Sequence, residues 1–358
     1  MTELTRELRE MIAAEGPISL ERYMSLALSH PRFGYYTTRE PFGAAGDFIT
    51  APEISQMFGE LIGLWAVEVW RLSGAPAPLR LVELGPGRGT LMADALRAIR
   101  GVPALADAIE VHLVETSPRL IDVQRPTLAG FDTPSDWHAS IEELPPGAAI
   151  FIANEFFDAL PVRHFMRTDN GWCERLVGLD GNGKLTFGLS ADATDEIGIA
   201  APNGSVLEVG LKARETIEAL ARRIATSGGA LLVMDYGYTE TRLGETLQAV
   251  RDHRFTDPLD APGEADLTAH VDFAALARQA EKAGARVHGP VTQAEFLSRL
   301  GIAQRAEILR RDSTPAQAQA IEAALSRLID ASSPTAMGKL FKVLAISPSS
   351  AHALPGFD

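Results

Sequence analysis

Three alternating glycines, Gly85, Gly87 and Gly89, follow the acidic Glu83 in the run from Leu81 to Thr90, LVELGPGRGT. Glycines so spaced let a backbone turn with positive φ and approach a ligand closely, with a helix N-terminus behind to face its polar groups. This is the chemistry of a nucleotide-cofactor loop. Glu115 closes the next apolar stretch, Ile109 to Val114, where a carboxylate can accept hydrogen bonds from both ribose hydroxyls of a nucleoside. Asn154, Glu155 and Asp158 follow a third apolar stretch at 148–153. A carboxylate pair there can orient a cationic group and favour loss of its proton. Asp47, in the loop GDFITAPEIS at 46–55, can fold over the cofactor beside a positive group. Each has a plainer role too: Asp158 as a helix cap, Phe156 and Phe157 as core rather than substrate slot, and 46–55 as a helix entry.

These residues need particular elements to bring them together. Leu79, Leu81, Val82 and Leu84, bounded by Pro78 and Gly85, form the apolar run of a buried parallel strand. Thr90 is the expected N-cap of a helix reaching Arg100, with Leu91, Ala95, Leu96 and Ile99 on one face. From Leu79 onward strands and helices alternate, which predicts a mainly parallel sheet covered on both faces. Further strands are expected at 148–153, 229–234, 285–288 and 340–346, and a helix carrying Val209, Ile217, Leu220 and Ile224 before Gly229. The end of the strand at 148–153 then lies beside the glycine turn, across the topological switch point.

Residues 1–78 read as an N-terminal helical region, with a capping box at Thr50–Ala–Pro–Glu53 starting one helix through Met57, Leu61, Leu64 and Val69. Residues 79–350 read as the main domain, with insertions at about 161–204, 236–269 and 294–338. Asn–Gly and Gly–Asn–Gly turns in the first insertion predict β-hairpins. A calcium loop at Asp180 is rejected, because Lys184 and Leu185 occupy positions that need a ligand and a glycine. Asp266, Thr268 and His270 share one side if extended, but no further metal ligand accompanies them, so helix capping or a substrate contact is expected and no metal site is assigned.

Composition excludes several function classes. The 358 residues are 46% hydrophobic and 22% charged, enough for one large α/β domain with additions, or for two domains. A net charge of −14 argues against sequence-independent nucleic-acid binding and favours a basic target. Cys173 is the one cysteine, which rules out an intrachain disulfide and suits a reducing compartment. No apolar stretch of the about 20 residues needed to span a bilayer occurs. Residues 1–15 mix Glu and Arg without an apolar core, so neither a signal nor a transit peptide is expected, and a cytoplasmic protein is.

Spacing narrows the cofactor. A dinucleotide fingerprint needs Gly-x-Gly-x-x-Gly, yet the residue three after Gly87 is Thr90, which disfavours an NAD(P)-linked oxidoreductase. The pattern Glu-x-Gly-x-Gly-x-Gly resembles motif I of the class I S-adenosyl-L-methionine (SAM) methyltransferases. The segments Gly46–Ser55, Val82–Thr90, Asn154–Pro161, Met234–Gly237 and Asp266–Phe273, in this order, resemble the MidA family from about residue 5 to 347.

The resemblance implies a Rossmann-like, seven-stranded, mostly parallel sheet and SAM as cofactor, held by Asp47, Glu83, Gly85, Gly87, Gly89, Glu115 and Asn154. It implies protein arginine N-methylation of a respiratory complex I subunit or its bacterial equivalent; for that chemistry the position of Glu155, with Asp158 as its partner, makes them the candidate catalytic carboxylates. Eukaryotic members act in mitochondria; this chain reads as a bacterial cytoplasmic relative. A SAM-binding assembly factor without turnover is the alternative from another class.

Overall fold

A computed structural model describes residues 2–39 and 50–357, and the chain forms two compact units. The sheet unit comprises 49–157, 216–239 and 271–358, and the insertion unit the described parts of 1–48 with 158–215 and 240–270.

Seven strands build the central sheet of the first: β1 (Leu79–Leu84), β2 (Ile109–Val114), β3 (Ser135–His138), β4 (Ala149–Asn154), β5 (Gly229–Tyr238), β6 (Ala285–Thr292) and β7 (Phe341–Pro348). Their order is β6–β7–β5–β4–β1–β2–β3, with Val271–Asp272 added beside the end of β5. Strands β1 to β5 run parallel, and β7 runs antiparallel to β5 and β6. This is the mainly parallel α/β sheet that the strand–helix alternation predicts, in the Rossmann-like, seven-stranded form that the family resemblance implies. Every residue of β4 and β5 is buried, as expected of strands covered on both faces. Strand β3 is not announced by the sequence pattern, because it is a four-residue edge strand with no fully buried residue.

Helix α1 (Gln56–Leu72) packs closely on α2 (Thr90–Ile99), the helix behind the glycine turn. A Cβ on Gly59 would lie 2.6 Å from Asp94 Cβ, and one on Gly63 would lie 2.5 Å from the Ala95 carbonyl. Two glycines one turn apart therefore open the contact.

The structure corrects three local expectations. The single helix expected from Thr50 is two, Ala51–Ile54 and α1, because Ser55 is extended at φ −164° and ψ 139° and caps α1 through Met57 N–H. Thr50 makes no side-chain cap bond, and Glu53 accepts a hydrogen bond from the Thr90 hydroxyl at 2.6 Å instead. The N-cap of α2 is Gly89 in the left-handed conformation, so Thr90 is its first helical residue. Val209 ends the strand Val206–Val209, before the helix Leu211–Ser227, where pairing with Arg163 takes precedence over helical periodicity.

In the insertion unit, Arg163–Thr168, Gly171–Leu179 and Leu185–Thr194 form an antiparallel meander. Ile18–Ser19 and Val206–Val209 extend that sheet. Asp180 Oδ1 accepts the N–H groups of Asn182 and Lys184 at 2.8 Å each and closes one turn. Gln248–Arg251, Arg254–Thr256 and Asp266–Thr268 make a separate three-stranded sheet. Leu4, Leu8 and Ile12 of one helix and Leu20, Tyr23 and Met24 of the next pack into this unit's core.

Candidate functional site

Leu84, the last residue of β1, pairs with Val114 on one side and Ala153 on the other. Gly85, Glu115 and Asn154 therefore leave three adjacent parallel strands side by side at their carboxyl ends. Backbone bonds hold the row: Gly85 N–H to Val114 at 3.0 Å, Glu115 N–H to His138 at 2.9 Å, and Glu155 N–H to Met234 at 2.9 Å. In the turn, Gly85, Gly87 and Gly89 have φ of 63°, 54° and 80°, conformations that other residues adopt only with strain. A Cβ on Gly85 would approach the Phe156 ring to 3.1 Å.

The acids of the row differ in how they are held. Glu115 is buried, with Oε1 accepting Ser117 N–H at 2.8 Å and Oε2 accepting Gln124 Nε2–H at 3.2 Å. Burial raises its pKa, opposed by the hydrogen bonds from Ser117, Gln124 and Thr116. Glu83 is 3% exposed, and burial pushes its pKa up to about 8 against a hydrogen bond from Met92 N–H. Its Oε2 has no hydrogen-bond partner among the described residues. Neither has the buried Oδ1 of Asn154, whose Nδ2 donates to Glu155 Oε1 at 3.2 Å. Buried polar atoms left open at strand ends are where ligand groups bind, since each otherwise forfeits its hydration.

Glu155 itself is a non-glycine residue at φ 49°, with Oε1 also accepting Ala51 N–H at 3.3 Å. Such a conformation costs of order 1–3 kcal/mol and collects at functional sites. The Phe156 and Phe157 rings meet edge to face at 5.4 Å; Phe157 is 3% exposed, so it is core, and Phe156 lies against the turn. Asp158 belongs to the insertion unit, where it is buried and its carbonyl accepts Ala269 N–H at 3.0 Å. Asp47 lies outside the described residues.

Two residues beside the row have no role assigned from the sequence, although one of them, Asp235, lies in the Met234–Gly237 segment. Asp235 is fully buried in β5 and accepts Phe157 N–H at 3.0 Å and Tyr236 N–H at 2.9 Å, anchoring the segment after Glu155. Its signal is an acid inside an otherwise apolar strand. Gln124 is also fully buried, on α3 (Pro118–Leu128), between Leu120 and Leu128 of the same buried stripe. An amide in an apolar i, i+4 stripe is the corresponding signal.

In the insertion unit, Tyr36 donates to both carboxylate oxygens of Asp266, at 3.0 and 3.2 Å. His270 N–H donates to Thr246 Oγ1 at 2.9 Å. Asp272, which belongs to the sheet unit, caps the helix Phe273–Lys282 through Ala275 N–H. Among the described residues, no group of three or more His, Cys, Asp or Glu is placed to hold a metal.

Known proteins resemble this chain along almost its whole length. Residues 61–291 match the family profile described as S-adenosyl-L-methionine-dependent methyltransferase. The mitochondrial protein arginine methyltransferase NDUFAF7 of Danio rerio is 40% identical, over 96% of this chain and 86% of its own length. Its Homo sapiens counterpart is 37% identical, over 97% and 84%. A Burkholderia thailandensis protein crystallised with S-adenosyl-homocysteine superposes with a TM-score of 0.85 at 30% identity, covering 99% of this chain and 94% of that one. Strand order, glycine turn and whole-length similarity agree, and the chain belongs to the S-adenosyl-L-methionine-dependent methyltransferase family that includes the NDUFAF7 proteins.

Proposed function

We propose that this protein transfers a methyl group from SAM to an arginine side chain of another protein. The observation that carries the proposal is the row of Gly85, Glu115 and Asn154 at three adjacent strand ends, continued by Glu155 in a strained left-handed conformation. The open atoms Glu83 Oε2 and Asn154 Oδ1 fit the cofactor's polar groups, and the three glycines fit close backbone approach. Glu115 would take the ribose hydroxyls. When bound, SAM supplies an electrophilic methyl group on a sulfonium.

The arginine acceptor is supported by relatives named protein arginine methyltransferases that align over nearly the whole chain. A guanidinium is protonated at neutral pH, with a reference pKa above about 12. Glu155 would orient it, concentrate its charge on one nitrogen and accept the proton released when the methyl passes to that nitrogen, the S–C bond of the sulfonium breaking to leave a neutral thioether, with Asp158 proposed as the second carboxylate. Asn154 and Ala51 hold Glu155 in place for this. Positioning of this kind supplies most of the rate in an in-line transfer.

The acceptor we favour is a subunit of respiratory complex I or its bacterial equivalent, and the compartment a bacterial cytoplasm. Incubation with labelled SAM and a lysate from cells lacking the protein, followed by mass spectrometry, tests the proposal. Methylarginine on a complex I subunit supports it. Label on lysine or a small molecule overturns the acceptor, and binding of SAM without any label leaves an assembly factor that does not turn over.

A further inference from the structure

Gln124 joins three parts of the sheet unit through one buried amide. Its Nε2 donates to the Gly87 carbonyl at 2.8 Å and to Glu115 Oε2 at 3.2 Å, and its Oε1 accepts Trp137 Nε1–H at 2.8 Å. The amide orientation follows from chemistry: an indole can only donate, and a carbonyl and a carboxylate present acceptors. Gln124 is fully buried, and a Cβ on Gly89 would touch its Cα and Cγ at 3.7 Å, so α3 packs directly against the glycine turn. Ser117 N–H holds the other oxygen of Glu115 at 2.8 Å, and both carboxylate oxygens are thereby fixed from the protein side.

We infer that Gln124 is a positioning residue for the cofactor's ribose: it locks Glu115 against the Gly87 peptide, so the carboxylate presents its remaining lone pairs to a vicinal diol. Trp137, on the edge strand β3, orients the amide in turn. Leucine at 124 would match the stripe of Leu120 and Leu128 but leave the Gly87 carbonyl, one Glu115 oxygen and the Trp137 indole without their partner. This inference rests on the proposed use of Glu115 as the ribose acceptor.

The test compares binding of S-adenosyl-L-homocysteine with that of its 2′-deoxy analogue by calorimetry, in wild type, Gln124→Leu, Gln124→Glu and Trp137→Phe. Gln124→Leu should weaken binding of the ribose ligand by about 10- to 100-fold and of the deoxy ligand much less, shrinking the preference for the hydroxyl. Trp137→Phe should give a smaller loss, about 3- to 10-fold, with the same ligand dependence.

Gln124→Glu sets two buried carboxylates side by side and should bind poorly at pH 8. It should recover in part toward pH 6, where a shared proton restores one donor to Glu115 but not the bond to Gly87. Equal weakening of both ligands, with no recovery at low pH, would mean that Gln124 only supports the fold. That result, or unchanged binding, overturns the inference. Should Gln124→Leu fail to fold, the ligand ratios of Gln124→Glu and Trp137→Phe decide the matter. Wild type that binds neither ligand sinks the proposed function, and the inference with it; wild type that binds but shows unchanged ratios in the variants sinks the inference alone.

Discussion

Near the ends of β1 and β2 the sheet unit buries Glu83 and Glu115, while the insertion unit buries Glu208 among donors that close around it. Glu208 Oε1 accepts the N–H groups of Thr246 and Leu247 at 2.9 and 3.1 Å, and Oε2 accepts the Thr246 hydroxyl. His164, itself fully buried, lies 2.8 Å away. Burial alone would raise the pKa of Glu208, but the bonds from His164 and Thr246 outweigh it and hold the carboxyl below its ordinary range. Glu83 has one donor, from Met92, and one open oxygen, and burial wins. A closed carboxylate ties strands and loops together. An open one has capacity left for a ligand, and the fold bears the desolvation until that ligand arrives.

The contrast can be broken at several points. The largest effect is expected at Glu155, beside the open acids. Glu155→Gln keeps an oxygen for the donors of Ala51 and Asn154, so SAM affinity should stay within about 2-fold while methyl transfer falls by about 100-fold or more. Full transfer by this variant would remove Glu155 from the chemistry.

Glu208→Ala should instead cost about 3 kcal/mol of stability in urea unfolding, by orphaning His164 and the Thr246 and Leu247 donors, with ligand affinity of the folded fraction unchanged. A loss of affinity without a loss of stability would show that the closed acid serves the site.

The two acids also predict opposite pH responses. The folded pKa of Glu83 is raised from 4.5 to about 8, so the folded state binds the extra proton in that window. Its contribution to stability is present below about pH 4.5 and is lost as pH rises toward 8, at about 1.4 kcal/mol per pH unit. The contribution of Glu208 has the reverse sign, present above pH 4.5 and lost as pH falls through its depressed folded pKa. Melting of the ligand-free protein from about pH 2 to pH 8 should show both limbs, and Glu83→Gln should flatten only the alkaline one. A profile that Glu83→Gln leaves unchanged would refute the burial of an open acid.

The smallest effect is expected at Ser55→Ala, which removes the cap on Met57 N–H and should cost about 1 kcal/mol without altering either acid.

Much of the site was legible because it is contiguous. Glu83 and the glycines fall within seven residues, and Glu115 and Asn154 each close an apolar run, so pattern and chemistry coincide in one dimension. Gln124 was not legible: its partners Gly87, Glu115 and Trp137 lie on three separate segments, and only folding makes them neighbours. Nor was the break at Ser55, where a capping box at Thr50 reads as well as the cap actually used, and the competing pull on Glu53 comes from Thr90. Strand β3 lacks the apolar run that announces the others, because an edge strand needs less burial.

By itself, then, the order of residues determined the strand–helix alternation, the left-handed glycine turn and the acids at the strand ends, since these depend on local sterics and on the period of apolar side chains. The tertiary structure alone decided which of the buried acids are closed and which stay open, because satisfying a carboxylate takes donors from elsewhere in the chain: Thr246 and His164 come to Glu208, whereas Glu83 Oε2 is left facing no described partner.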